Sequence, residues 1–314
     1  MTRRADPAVS RRGFIAAGVG AALGTLLAGA VPAAAPSGAS LALVTKVIPS
    51  SGERIPAIGL GTDSFRTEVR EEIRAELARM SELGGSLIDT AAAYGDSEAL
   101  IGEALERLGI RDRMFLATKL VAGTSGSPSG ADSLARSLER LKTRHIDLLQ
   151  VHNLRGVAEL IPLLQEWKKA ERIRYIGVTT SRGSQHAEML EVMRHYPLDF
   201  IQVDYSIANR EAAEAILPLA LARKLAVLVN LPFGRSSLFA QAAGRELPGW
   251  AADIDVASWA QYFLKYVISH PAVTCAIPGS TKLSHLEDNQ GGGRGRLADA
   301  AMRRKMEEYW DHKG

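Results

Sequence analysis

From residue 58 onward the chain repeats one arrangement. A short apolar run is followed by a turn, a stretch with apolar residues at helical spacing, and another apolar run. The apolar runs fall at residues 58–62, 86–88, 114–119, 146–152, 175–179, 200–204, 227–231 and 274–278. Between the first two, Val69, Ile73, Leu77, Met80 and Leu83 recur every three or four residues, which predicts a helix over 68–83 with one apolar face, ended by Gly84 and Gly85. Leu134, Leu138 and Leu141 mark the third helix; Leu160, Leu163, Leu164 and Trp167 mark the fourth. Eight β/α units in a chain of 314 residues favour closure into a (β/α)8 TIM barrel over an open sheet. Residues 44–56 carry Ser-Ser-Gly at their centre, a turn between two extended pieces, and predict an N-terminal β-hairpin. A last helix is expected over 297–310.

In such a barrel the chemistry collects at the carboxyl ends of the strands. Asp89 ends the second run, and Tyr94 lies in the loop beyond it. Ser97 is expected to cap a helix over 98–108. The next two runs end in Lys119 and His152. Singly, each residue has a plain structural explanation: Asp89 as a helix cap, Tyr94 as a loop aromatic, Lys119 facing solvent, His152 bonded to backbone. Together, an acid, a phenol, an ammonium and an imidazole at successive strand ends have the makings of one site. A phenol beside an ammonium gives up its proton more readily than a free one, because the cation stabilises the phenolate. His145, His186, His195 and His270 lack such context and read as surface or helix-end residues. No His-x-His or carboxylate-histidine cluster stands at a strand end, so no metal site is expected.

The segment 87–95 (Leu-Ile-Asp-Thr-Ala-Ala-Ala-Tyr-Gly), with Lys119 and the His152–Asn153 pair, resembles the signature of the aldo-keto reductases. The resemblance runs from about Ile55 to Asn289 with the motifs in the family's order. It implies a catalytic tetrad of Asp89, Tyr94, Lys119 and His152: Tyr94 as general acid, Lys119 and Asp89 tuning it, His152 orienting the carbonyl. It further implies NADP(H) as the preferred cofactor, with NAD(H) the alternative, and a small-molecule carbonyl substrate. The matching cofactor positions are Gly61, Thr62, Thr179, Thr180, Gln202, Asn230, Leu231, Pro232, Gly234, Ser280, Thr281, Lys282, His285, Asp288 and Asn289. Ser280, Thr281 and Lys282 are assigned to the adenosine 2′-phosphate, Asp288 and Asn289 to adenine. The match departs from the family at four places. Thr180 stands for an asparagine, Gly279 for a common lysine and His285 for a common arginine. Asn230 stands for the aromatic ring stacked on the nicotinamide, a contact worth on the order of 1 kcal/mol. These departures keep open a second reading, an exported nucleotide-binding or partner-binding barrel with little catalysis, as the resemblance to potassium-channel β subunits allows.

Two flexible segments are expected at 123–130 and 291–295, both rich in glycine. Gly59 and Gly61 are expected to let backbone approach a ligand. Phe65, Phe233 and Trp250 either line an apolar pocket or pack beneath loops. The net charge of +3 comes without a stripe of Lys and Arg interleaved with aromatics, so nucleic acid is not an expected partner. The single cysteine, Cys275, reads as a small buried strand residue.

Residues 10–15 (Ser-Arg-Arg-Gly-Phe-Ile) precede an Ala/Gly/Leu-rich run over 16–31 and Ala33-Ala-Ala35. This resembles a twin-arginine export signal. It implies a signal peptide over 1–35 (cleavage after Ala30 being the alternative), a flexible mature terminus over 36–43 and the barrel over 44–314. The expected partner is the twin-arginine export machinery, with no stable membrane anchor after cleavage. The protein is then periplasmic or extracellular, and a monomer is the default.

Overall fold

The computed structural model describes residues 41–122 and 130–312. Residues 1–40, which include the expected signal over 1–35, the glycine-rich stretch at 123–129 and residues 313–314 lie outside the described residues. The first elements, β1 (Thr45–Val47) and β2 (Arg54–Pro56), pair antiparallel as the expected hairpin. Eight parallel strands follow: β3 (Leu60–Gly61), β4 (Leu87–Asp89), β5 (Phe115–Leu120), β6 (Ile146–Val151), β7 (Ile173–Thr179), β8 (Phe200–Asp204), β9 (Ala226–Asn230) and β10 (Cys275–Ala276). Each pairs with its neighbour in chain order. Parallel bridges Ile58–Ala276 and Gly61–Gly279 join the last strand to the first, so the sheet closes into the (β/α)8 barrel.

The intervening helices are α1 (Arg70–Glu82), α2 (Ser97–Leu108), α3 (Gly130–Arg140), α4 (Val157–Lys169), α5 (His186–His195), α6 (Ile216–Ala222), α7 (Ser237–Ala242), α8 (Trp259–Ile268), α9 (Leu283–Gly292) and α10 (Ala300–Asp311). In α1 the residues at helical spacing, Ile73, Leu77 and Met80, are fully buried against the barrel. Gly109 ends α2 in the left-handed conformation, with its N–H returning to Glu106 and Leu105 carbonyls. Among the described residues no helix is long and apolar enough to cross a membrane.

Inside the barrel the strand period of two sorts the side chains. One inward cluster contains Leu87, Phe115, Ala117, Leu148, Tyr175, Phe200, Ala226, Leu228, Cys275 and Ile277. Tyr175 stacks on Phe115 with centroids 5.8 Å apart and meets Phe200 edge-on at 5.4 Å. Ile48 and Ile55 of the hairpin belong to the same cluster, so the hairpin plugs the amino end of the barrel. Each of those isoleucines contributes about 1.5–3 kcal/mol by its burial. Continuing the same alternation toward the carboxyl ends, the next inward positions are Asp89, Lys119, Gln150, Thr179, Gln202 and Asn230. The barrel lumen is thus apolar below and polar on top.

Two local expectations are corrected, and the first strand's glycines have a further role. Asp96, not Ser97, occupies the cap of α2, and no side-chain capping bond forms. The Ser97 hydroxyl is instead buried in a network with Thr62 Oγ1 at 2.8 Å and Thr90 Oγ1 at 2.9 Å. Residues 291–295 are not a free linker: Gly291 and Gly292 finish α9, and Gly293 lies against Ile58 where a Cβ would come within 2.8 Å of its Cγ1. Gly61 serves the closure of the barrel, since a Cβ there would stand 2.8 Å from the Ile277 carbonyl oxygen, and Gly59 meets Leu87 in the same way.

Candidate active site

The polar upper layer of the barrel opens into a cleft of about 750 Å³. Asp89, Tyr94, Lys119 and His152 all line it. The β4–β5 pairing sets Asp89 beside Ala117, one inward step below Lys119. Lys119 is buried, and its Nζ donates to Asp89 Oδ2 at 2.5 Å and to the Thr90 carbonyl at 2.8 Å. Gln150 Nε2 donates to the other Asp89 oxygen at 3.2 Å. The ammonium also lies 4.8 Å from the centroid of the Tyr94 ring. His152 meets that ring edge-on, with centroids 5.8 Å apart.

These distances set the protonation states. Burial would pull the Lys119 ammonium down, but Asp89 and Tyr94 together carry it above its ordinary value, so it stays charged. Burial pushes the Tyr94 phenol up, Lys119 pulls it back, and Asp89 adds to the rise; the net direction is upward. In this state Tyr94 is a protonated phenol at neutral pH, and the lysine offsets burial without overcoming it. Burial, helped by Lys119 and Arg155, lowers His152 to about 4, so its imidazole is neutral. Cys275 is fully buried and its thiol is pushed up by desolvation, as befits a strand residue outside the site. Among the described residues no group of three or more His, Cys, Asp or Glu is placed to hold a metal ion.

The cleft extends from the tetrad across β7, β8 and β9 to the loop after β10. Gly61, Thr62, Thr179, Gln202, Asn230, Leu231, Pro232, Ser280, Thr281, Lys282 and His285 line it. Gln202 is buried, and its Oε1 has no partner. Thr179 Oγ1 accepts from the Asn153 N–H at 3.0 Å. Ser280 Oγ lies 2.7 Å from Glu76 Oε1 and accepts from the Lys282 N–H at 3.1 Å. After β9 the backbone runs left-handed at Gly234, Arg235 and Ser236, with φ of 55°, 53° and 69°. Non-glycine residues rarely hold that conformation, and such strain collects at functional sites.

Residues 57–305 match the model of the Aldo/keto reductase family. The chain belongs to the aldo/keto reductase family. This reductase-family chain is 29% identical over 257 residues to "Methylglyoxal reductase YeaE" of Escherichia coli (strain K12), covering 78% of this chain and 88% of that protein. It is 35% identical over 182 residues to "Aldo-keto reductase YhdN" of Bacillus subtilis (strain 168), covering 54% and 52% respectively. Its fold matches, with a TM-score of 0.72 at 23% identity, an aldo/keto reductase from Klebsiella pneumoniae solved in complex with NADP and acetate, over 86% of this chain and 97% of that one. A holo aldo-keto reductase from Bacillus halodurans matches with a TM-score of 0.70, also at 23% identity, over 85% and 96%.

Within this aldo/keto reductase four residues assigned to the cofactor lie off the cleft wall. The Thr180 hydroxyl turns away to Gln185 Oε1 at 2.9 Å and accepts from the Arg182 N–H at 3.2 Å. Gly234 supports the loop from behind through its N–H to the Leu231 carbonyl at 2.8 Å. Asp288 accepts from Ser258 Oγ and Gln261 Nε2, each at 2.8 Å, and so clamps α9 to the start of α8. Asn289 is buried beside it. In their place Asp63, Asn153, Ser181, Arg182, Arg235 and Ser236 reach the cleft. The Thr62 hydroxyl lines the cleft but is committed to the Asp89 carbonyl at 3.0 Å. Of the three aromatics, Phe233 lines the cleft, Phe65 is core, and Trp250 packs on Tyr262 and Tyr309. His186, at the start of α5, is buried, with Nε2 3.2 Å from Asp204 Oδ1.

Proposed function

We propose that this protein reduces a small aldehyde or ketone to the alcohol, or runs the reverse oxidation, with NADPH as the preferred cofactor. The observation that carries the reading is the meeting of Asp89, Tyr94, Lys119 and His152 in one cleft. The unpaired oxygen of buried Gln202 fits an amide N–H donor such as the carboxamide of a nicotinamide. A nicotinamide nucleotide bound in the cleft supplies the hydride. Gln202 and Thr179 would hold its carboxamide. Ser280, Thr281 and Lys282 would hold the 2′-phosphate, where the lysine ammonium gives a charge-assisted bond.

Tyr94 donates the proton to the carbonyl oxygen. Burial keeps that proton on the phenol until the oxygen becomes basic. The Lys119 charge beside the ring then stabilises the phenolate, and Asp89 fixes the lysine in place. His152, neutral at working pH, offers a ring N–H to the same oxygen without competing as an acid. The reading is tested by replacing Tyr94 with Phe. Turnover of methylglyoxal, the substrate in the name of the E. coli relative, is expected to fall while NADPH binding persists. Retained turnover sinks the assignment.

The same proposal includes export. Residues 1–35 act as a twin-arginine signal, 36–43 as a mature terminus and 44–314 as the barrel, a monomer working in the periplasm or outside the cell. The paired Arg11 and Arg12 before a weakly hydrophobic run support it. Conversion of both arginines to lysine is expected to leave the protein in the cytoplasmic fraction. Unchanged export would remove the assignment, and a mature chain starting at Val31 would move the cut to Ala30.

A further inference from the structure

Asn230 ends β9 at the position where the family resemblance calls for an aromatic ring. Its Nδ2 donates to the Thr180 carbonyl at 2.9 Å. That bond fixes the orientation of the amide, because the flipped form would set two acceptors against each other. Its Oδ1 is then left buried with no partner, in a side chain that lines the cleft. An unpaired buried oxygen is unfavourable, and native folds keep few of them without a ligand or a function. Gln202 Oε1, on the neighbouring strand β8, is in the same condition. Two unpaired amide oxygens, each closed to solvent, thus stand on adjacent strands in side chains of the cleft wall, and a primary carboxamide carries two N–H groups.

We propose that Asn230 holds the coenzyme by its edge: Oδ1 accepts one N–H of the nicotinamide carboxamide while Gln202 Oε1 accepts the other. This rests on the reading that a nicotinamide nucleotide fills the cleft. It replaces stacking on the ring face, which does not depend on the carboxamide, by a bond that requires it. The protein should then be unusually intolerant of changes at that group.

The test is calorimetric titration of the full chain with NADP and with its 3-acetylpyridine analogue, in which a methyl group replaces the amide nitrogen. The wild type is expected to bind NADP at least tenfold more tightly than the analogue. Asn230→Leu should weaken NADP about tenfold and leave the analogue unchanged. Asn230→Phe restores a ring face and should narrow the preference by raising analogue affinity. If Asn230→Leu weakens both ligands equally, or the wild type does not distinguish them, Asn230 only supports the loop and the proposal falls. If the wild type binds neither ligand, the coenzyme reading itself falls with it.

Discussion

Replacing Lys119 by Met separates what the buried ion pair does for the fold from what it does for chemistry. The side chains of Lys119 and Asp89 are 2% and 4% exposed. Methionine nearly matches the lysine stem in volume, so the change removes charge more than packing. Asp89 keeps only the Gln150 Nε2 bond at 3.2 Å, and the Thr90 carbonyl loses a donor at 2.8 Å. Breaking one side of a buried pair costs about 3–5 kcal/mol, because the remaining charge is stranded. For a chain of this size that is a fall in Tm on the order of 10 °C. Removing both charges has a different effect. In Asp89→Leu with Lys119→Met no carboxylate is left without a cation, and the residual penalty is the unpaired Gln150 amide, about 1–3 kcal/mol. The double variant should therefore be more stable than Lys119→Met by about 2 kcal/mol, measured by urea unfolding followed by circular dichroism. Turnover is expected to be absent from both, so stability alone reports on the pair. A loss below about 1 kcal/mol in the single variant, or a double variant as unstable as the sum of both singles, would refute the reasoning.

Tyr94→Phe should lower turnover by about 10²–10⁴-fold with NADPH affinity within about twofold of wild type, by steady-state kinetics and fluorescence titration. His152, lowered to about 4 mainly by burial, stays neutral in the folded chain while the unfolded chain takes up a proton near 6.5. Its contribution to stability is thus full above pH 6.5 and is lost as the pH falls toward 4. His152→Gln should flatten that part of the stability profile, and an unchanged slope would count against the buried neutral imidazole. His270, also lowered to about 4 by burial, adds a slope over the same window that this variant leaves in place. Gly102→Ala would gain about 1 kcal/mol of helix propensity in α2. Its Cβ, however, would lie 2.1 Å from the Arg140 carbonyl oxygen. Both helices must shift, so a net loss of about 1–2 kcal/mol in urea unfolding is expected.

That Asp89, Tyr94, Lys119 and His152 share one cleft was legible because strand ends and their loop residues are local features. Asp89, Lys119 and His152 each close or follow an apolar run, and the barrel brings strand ends together whatever their spacing. That the Thr180 side chain leaves the barrel lumen could have been read from a local rule. Tyr175, Gly177 and Thr179 share the inward parity of β7, and Thr180 falls on the outward one. The structural bonds of Asp288 were not legible, because they depend on where α8 packs. Ser258 and Gln261 reach Asp288 across about 30 positions of sequence, and nothing near Asp288 announces them. The parts played by Arg182, Arg235 and Ser236 depend on loop conformation, which periodicity does not encode. Gly61 lines the cleft and also leaves room for the distant Ile277 carbonyl, a neighbour that nothing near it in the sequence announces.

The closing of β3 against β10 has a consequence for synthesis. The seam rests on two bridges, and Glu76 meets Ser280 across it, 204 positions apart in the chain. One wall of the cleft thus comes from the first β/α unit and the wall beside it from the last. A ribosome must finish nearly the entire chain before the two can meet, and a product truncated before β10 has no second wall. A molecule that must touch both walls can therefore be held only by a chain made past β10.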